Sequence, residues 1–161
     1  MAHLTLRCFG AFQATLDDQP LTRFHSVKVQ ALLAYLALGA QHLHHRETLA
    51  TLFWPLDTDV SARNSLRQAL YELRKLLGDR DDQATPFLLV TRQTVQFNPA
   101  SDHTLDVADF LSSIRHGNLE QADWLCRGEL LASLSCESEP FEDWLRQSRA
   151  RFHNLAVDVC F

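Results

Sequence analysis

The sequence predicts an α+β protein: short antiparallel strands at the N-terminus, a helix-turn-helix closed by a β-hairpin, and then an all-helical segment. Three observations predict it. Apolar residues alternate with polar ones through the first twenty residues, the signature of half-buried strands. The apolar spacing then lengthens to three and four between residues 26 and 77, returns to alternation at 87–97, and turns helical again from 105. Charge divides the chain near the same place. Residues 1–97 carry ten Lys/Arg against nine Asp/Glu, whereas residues 98–161 carry five against eleven. A near-neutral first part and an acidic second part predict two modules with different partners.

Each element can be justified in order. Leu4, Leu6 and Cys8 share one face of a strand; Phe12, Ala14 and Leu16 continue the alternation after Gly10, and Asp17-Asp18-Gln19-Pro20 makes a turn. Ser26 is placed to cap a helix that carries Val29, Leu32, Leu33, Leu36 and Ala37 and stops at Gly39. A polar loop, 41–45, precedes a short helix, 46–53, which Trp54-Pro55 ends because proline disfavours helix in the residue before it. The clearest helix runs over 61–77, with Gly78 at its C′ position. A charged turn leads to a hairpin over 87–97, tipped by Thr91-Arg92-Gln93. Asn98-Pro99 and Ser101 form a linker, so the first module covers 1–98 and the second 105–161. The second module shows helical stripes at Val107, Phe110, Leu111 and Ile114, at 119–126, and at 141–161. The last stripe runs to the C-terminus without a cap, which predicts a longer protein.

Composition excludes several classes. The chain has 161 residues, 46% hydrophobic and 22% charged, enough for a real core without staples. The start lacks an apolar signal region, and the run 31–40 is half the length needed to span a bilayer, so a cytoplasmic protein is expected. The cysteines, Cys8, Cys126, Cys136 and Cys160, show no C-x-x-C spacing and read as reduced, mostly buried thiols. No nucleophile elbow, phosphate-binding loop or dinucleotide fingerprint is present, and the reading is of a non-enzyme without a cofactor. His42, His44, His45 and Glu47 raise a metal site, but three histidines in a loop with no cysteine nearby read as a solvated turn. Trp54, Trp124 and Trp144 sit in apolar helical patterns and read as core.

The helix 61–77 carries the functional argument. At 100° per residue, with Leu66 at the origin, Ala62, Ala69, Leu70, Leu73, Leu76 and Leu77 form one apolar stripe. Arg63, Asn64, Arg67, Tyr71, Arg74 and Lys75 occupy an adjoining arc, with Gln68 just beyond, and the one acid within 61–77, Glu72, lies outside it. Arginine pairs bidentately with guanine and Asn or Gln with adenine, in a major groove about 12 Å wide that admits a helix. A short helix, a turn and a basic helix make a helix-turn-helix, and the hairpin with Arg92 at its tip makes a wing able to reach a phosphate or a narrow minor groove.

These residues carry a resemblance. The run 27–38, the run 46–55 and above all Ala62-Arg63-Asn64-Ser65-Leu66-Arg67-Gln68-Ala69-Leu70-Tyr71-Glu72-Leu73-Arg74-Lys75-Leu76-Leu77-Gly78 are similar to the SARP-type bacterial transcriptional regulators, the antibiotic regulatory protein family. The opening 4–12 fits that family's first strand. The resemblance implies a winged helix of the OmpR type, with an N-terminal sheet, three helices and a C-terminal hairpin. It implies binding to direct repeats upstream of promoters and recruitment of RNA polymerase. Residues 105–110, 127–131 and 141–145 resemble the start of the bacterial transcriptional activator domain, a TPR-like helical repeat that is normally much longer. The His-rich loop and the glycine-free turn at 17–19 depart from the family pattern.

The expectation is therefore a sequence-specific regulator of transcription, an activator, bound to double-stranded DNA as a dimer or in tandem. Arg63, Asn64, Arg67, Gln68 and Tyr71 are expected to face base edges or nearby phosphates, and Arg74, Lys75 and Arg92 mainly phosphate. The alternative reading is a protein-interaction module of a larger signalling protein, whose winged helix does not read DNA.

Overall fold

The computed structural model describes residues 2–24, 26–80 and 85–160, without the side chains of 159 and 160. The fold is α+β, a winged helix with an N-terminal sheet followed by a helical segment. The chain forms two compact units. One gathers Met1–Leu21, His103–Leu134 and Asp143–Phe161; the other gathers Thr22–Asp102 and Ser135–Glu142. Compactness thus groups the first strands with residues that follow the linker, where sequence reading divides the chain once.

The first unit is built on a four-stranded sheet of order β3-β2-β1-β7. Strand β1 (Leu4–Arg7) pairs antiparallel with β2 (Gln13–Leu16), Leu4 opposite Leu16, and β2 with β3 (Gln19–Pro20). The predicted alternation holds in β1, where Leu4, Leu6 and then Cys8 are buried; in β2 only Ala14 is buried, Leu16 is half-buried, and Phe12 lies ahead of the strand. The β2–β3 turn puts Asp17 at φ 51° and Asp18 at φ 66°. Two successive left-handed residues suit the right-handed twist of a tight hairpin, and aspartate tolerates them better than most residues. Strand β7 (His103–Leu105), read from the sequence as linker and helix start, pairs parallel with β1. Three residues are too few to show a period. Helix α4 (Asp106–Arg115) follows at once, and the Asp106 carboxylate accepts hydrogen bonds from the Cys8 and Phe9 amides at 2.9–3.0 Å. Phe9 packs edge-on against Phe110 and Phe152, at ring separations of 5.1 and 5.9 Å. Bridges join Phe9 to Leu130 and Ala11 to Ala132. Here a side chain on Gly128 would come within 3.2 Å of the Gly10 Cα, so the close approach of the two backbones requires glycine.

Helix α5 covers Leu119–Leu125 and helix α6 Glu139–Cys160, starting two residues before the apolar stripe. Trp124 corrects an expectation: it is 59% exposed, with the Arg127 guanidinium 5.4 Å from its ring centre, rather than core. Its neighbours in this short helix bury only Ala122, which leaves no stripe for it to join. Trp54 and Trp144 are half-buried. Cys8 and Cys136 are buried and Cys126 partly so, all as free thiols. Burial pushes the Cys136 thiol up to about 11, with Glu142 adding to the effect, so it is held protonated at neutral pH. The side chains of Val159 and Cys160, residue 161 and the core of the charged turn at 81–84 lie outside the described residues.

The second unit packs α1 (Val27–Leu38), α2 (Arg46–Phe53) and α3 (Asp59–Leu77) with a sheet of order β4-β6-β5. Ser26 caps α1 as its position predicts, its hydroxyl accepting from the Val29 amide. Helix α1 buries Val29, Ala31, Leu32, Leu33, Ala34, Leu36 and Ala37, more than one face, and forms the centre of this unit's core. Phe53 packs on Tyr35 and Phe141 at 5.9 and 5.2 Å. The 41–45 loop is shorter than the sequence suggests. His44–His45 form β4 and pair with Val95 and Thr94 of β6 (Thr94–Phe97), and β5 (Leu88–Val90) completes the hairpin. The His44 ring stacks obliquely on Tyr35 at 5.2 Å, and burial lowers its proton affinity. Among the described residues no group of three His, Cys, Asp or Glu is placed to hold a metal, and no helix is long and apolar enough to cross a membrane.

Candidate nucleic-acid interface

Helix α3 begins two residues earlier than the predicted 61–77, because Thr58 caps it through a hydroxyl that accepts from the Ser61 amide. A threonine cap is worth about 1 kcal/mol. It ends as expected at Gly78, which adopts φ 74° and returns its amide to the Arg74 and Lys75 carbonyls. Ala62, Leu66, Ala69, Leu70, Leu73 and Leu77 are buried; Leu76 is only half so.

That burial fixes the outward face. Arg63, Asn64, Arg67, Gln68, Tyr71 and Lys75 are all exposed, and Tyr71 keeps 63% of its surface open. Among the described residues Arg63, Arg67, Lys75 and Arg92 make no ion pair. Gln68 donates to Glu72 at 3.1 Å, an exposed bond that a competing acceptor could replace. Arg74 stands apart. It is half-buried beside Asp79, and its charge favours the ionised form of that carboxylate, which burial opposes. Asp79 accepts from the Phe87 and Leu88 amides, both at 2.9 Å. Asp79 therefore ties the end of α3 to the start of the hairpin, with the Arg74 charge nearby. Phe87, predicted as the first strand residue, makes this contact ahead of β5.

The wing is a hydrogen-bonded turn. The Thr91 amide donates to the Thr94 carbonyl at 2.9 Å, and the Thr91 hydroxyl accepts from the Thr94 amide at 2.9 Å and the Gln93 amide at 3.2 Å. Arg92 sits exposed at its tip. An open groove of about 610 Å³ lies between this turn, the start of α2 and the first half of α3. Arg46, Arg63, Arg67 and Arg92 line it, with Asn64 and Glu47.

Arg46 is the residue that sequence reading missed. It opens α2, its amide donates to the Gln93 carbonyl and its Nε to the Thr91 carbonyl, each at 2.9 Å. Burial, then the charges of Arg67 and Arg74, push its guanidinium below the usual arginine range. A signal was available: a cation at a helix N-terminus opposes the helix dipole, so its presence there asks for another reason.

No family model and no curated protein matches the chain in sequence. Among solved structures, Mycobacterium tuberculosis EmbR in complex with a low affinity phosphopeptide is similar in fold, with a TM-score of 0.70 and 21% identity. The likeness covers 99% of this chain and 46% of that one, so this chain spans less than half of EmbR's length. At that identity the likeness is one of fold, and it fits a winged helix followed by a helical segment.

Proposed function

We propose that this chain is a sequence-specific DNA-binding regulator of transcription of the SARP type, acting as an activator. The observation that carries the reading is the outward face of α3: Arg63, Asn64, Arg67, Gln68 and Tyr71 project together from a helix whose opposite stripe is buried. Guanidinium and amide groups on one face of an exposed helix match the donor and acceptor pattern of major-groove base edges. Lys75 and Arg92 serve the backbone, with Arg92 placed to reach a phosphate or the adjacent minor groove. Arg74 contributes charge from the edge of this surface while its charge also favours the ionised Asp79 carboxylate.

One recognition helix and one wing give a small footprint. Two copies on direct repeats, as a dimer or in tandem, raise the effective affinity without new contacts. The helical segment that follows the wing is assigned to contacts with a second copy or with RNA polymerase. The fold shared with EmbR supports the winged helix on which this reading stands.

Selection of duplexes from a randomised pool by the full chain tests it. The reading expects a repeated half-site to be enriched, and Arg67→Ala to relax the preference at one position of that site. Recovery of unselected sequence, with duplex bound no better than in a buffer control, would overturn it in favour of a protein-interaction module.

A further inference from the structure

We infer that Arg46 and Arg92 form a preformed cradle for one phosphodiester group of the DNA backbone beside the recognition helix, in which Arg46 both holds the wing and grips the phosphate. The inference rests on the DNA-binding reading and names a contact that the recognition-helix face does not include.

The position of Arg46 is fixed by the fold. Its amide and Nε are committed to Gln93 and Thr91, so the plane of the guanidinium is set by the wing turn. A guanidinium has five N–H donors, and the four on the terminal nitrogens find no acceptor among the described residues. Arg46 lines the groove that Arg63, Arg67 and Arg92 also line. Glu47 is the one carboxylate among the lining residues, and it forms no ion pair with them among the described residues.

Arg46 itself sits in an unfavourable electrostatic setting. Arg46 is half-buried, and the neighbouring charges of Arg67 and Arg74 repel it. Arginine does not deprotonate in proteins, so it cannot relieve this by losing charge. An anion with several acceptor oxygens would relieve it, and the planar fork of a guanidinium matches two oxygens of a phosphate at once. A groove open to solvent, beside an exposed basic helix and a wing tip, admits a polymer backbone. A duplex that presents its major groove to α3 carries phosphates along the rim of that groove.

The test uses the full chain and two variants, Arg46→Gln and Arg46→Lys. Duplex binding is followed by fluorescence anisotropy across a salt series, and thermal unfolding in inorganic phosphate is compared with chloride at matched ionic strength. Losing one phosphate contact lowers the slope of log K against log salt by about 0.9. We expect that loss for Arg46→Gln, with the weakening alike on every sequence. We expect inorganic phosphate to raise the Tm of the wild-type protein, and Arg46→Lys, which keeps the charge but not the fork, to lose most of that rise. Should Arg46→Gln not fold, the Tm and affinity of Arg46→Lys decide: wild-type behaviour in both overturns the pocket. Duplex binding by the wild type with an unchanged slope in Arg46→Gln also overturns the pocket and leaves the DNA-binding reading standing. Failure to bind any duplex, together with an Arg46-dependent rise in Tm, overturns that reading and shows a site for free phosphate instead of a phosphodiester.

Discussion

Helices α3 and α6 are the two longest in the chain, both amphipathic and both rich in arginine, yet they use that arginine differently. On α6 the cations serve the fold of their own unit. Arg146 pairs with Asp143 one turn away. Arg149 donates to the Leu130 and Leu131 carbonyls at 2.9 and 2.7 Å, with Glu129 at 3.5 Å. Arg151 lies 5.4 Å from the centre of the Phe152 ring. On α3, Arg63, Arg67 and Lys75 face solvent without an ion pair among the described residues. Counting arginines would rank the helices alike. What separates them is whether the guanidinium donors are already satisfied, because only unsatisfied donors can be offered to a partner at little cost.

The comparison can be broken at either end. The largest effect is expected from Arg67→Ala, which should weaken a selected duplex by about 1–3 kcal/mol, relax specificity at one base position and not lower Tm. Anisotropy on cognate and substituted duplexes, beside a melting curve, checks this. Arg149→Met should do the reverse. It leaves the Leu130 and Leu131 carbonyls short of a donor, costs about 1–3 kcal/mol in denaturant unfolding and keeps the DNA salt slope. Thr58→Ala should cost about 1 kcal/mol by removing the α3 cap, and should weaken DNA binding only through fraying of the first turn; circular dichroism melts and anisotropy together separate the two.

A pH effect of smaller size belongs to the first unit. Burial raises the Asp106 carboxyl above its ordinary value, against the pull of the Phe9 and Cys8 amides. The folded state thus holds this proton more tightly than the unfolded chain. Its contribution to stability is complete below the usual aspartate value, near pH 4, and is lost as pH rises through the raised one. Asp106→Asn should flatten that decline in unfolding measured from about pH 4 upward. The smallest effect is a gain. Asp18 sits at φ 66° in a two-residue hairpin turn where glycine is free of strain, so Asp18→Gly should stabilise by about 0.5–1 kcal/mol.

Much of this was legible in the sequence because it rests on period and capping. The stripe of α3, the Ser26 cap, the Gly78 stop and the wing with Arg92 at its tip follow from residue type and spacing alone. Elements of two or three residues were not legible. Strands β4 and β7 exist through pairing with distant partners, Val95 and Leu6 among them, and such pairings leave no local period. Nor could sequence assign Trp124 to the surface, since an apolar residue in a helical pattern looks the same whether or not anything covers it. The candidate site divides likewise. Seven of its eight sequence-predicted residues are exposed, while Arg74 turns partly to the fold, a fact that depends on where Asp79 lies. Arg46 enters through its bonds to Thr91 and Gln93, some forty-five residues along the chain.

The most direct test of the central claim is a salt-dependent anisotropy titration on a selected duplex. It compares the wild type with Arg63→Gln/Arg67→Gln on α3 and with Arg146→Gln on α6. We expect a steep linear fall of log K with log salt for the wild type, a slope reduced by up to about two units for the α3 pair, and the wild-type slope for Arg146→Gln. Equal slopes for all three proteins, or a loss as large for Arg146→Gln as for the α3 pair, would contradict it.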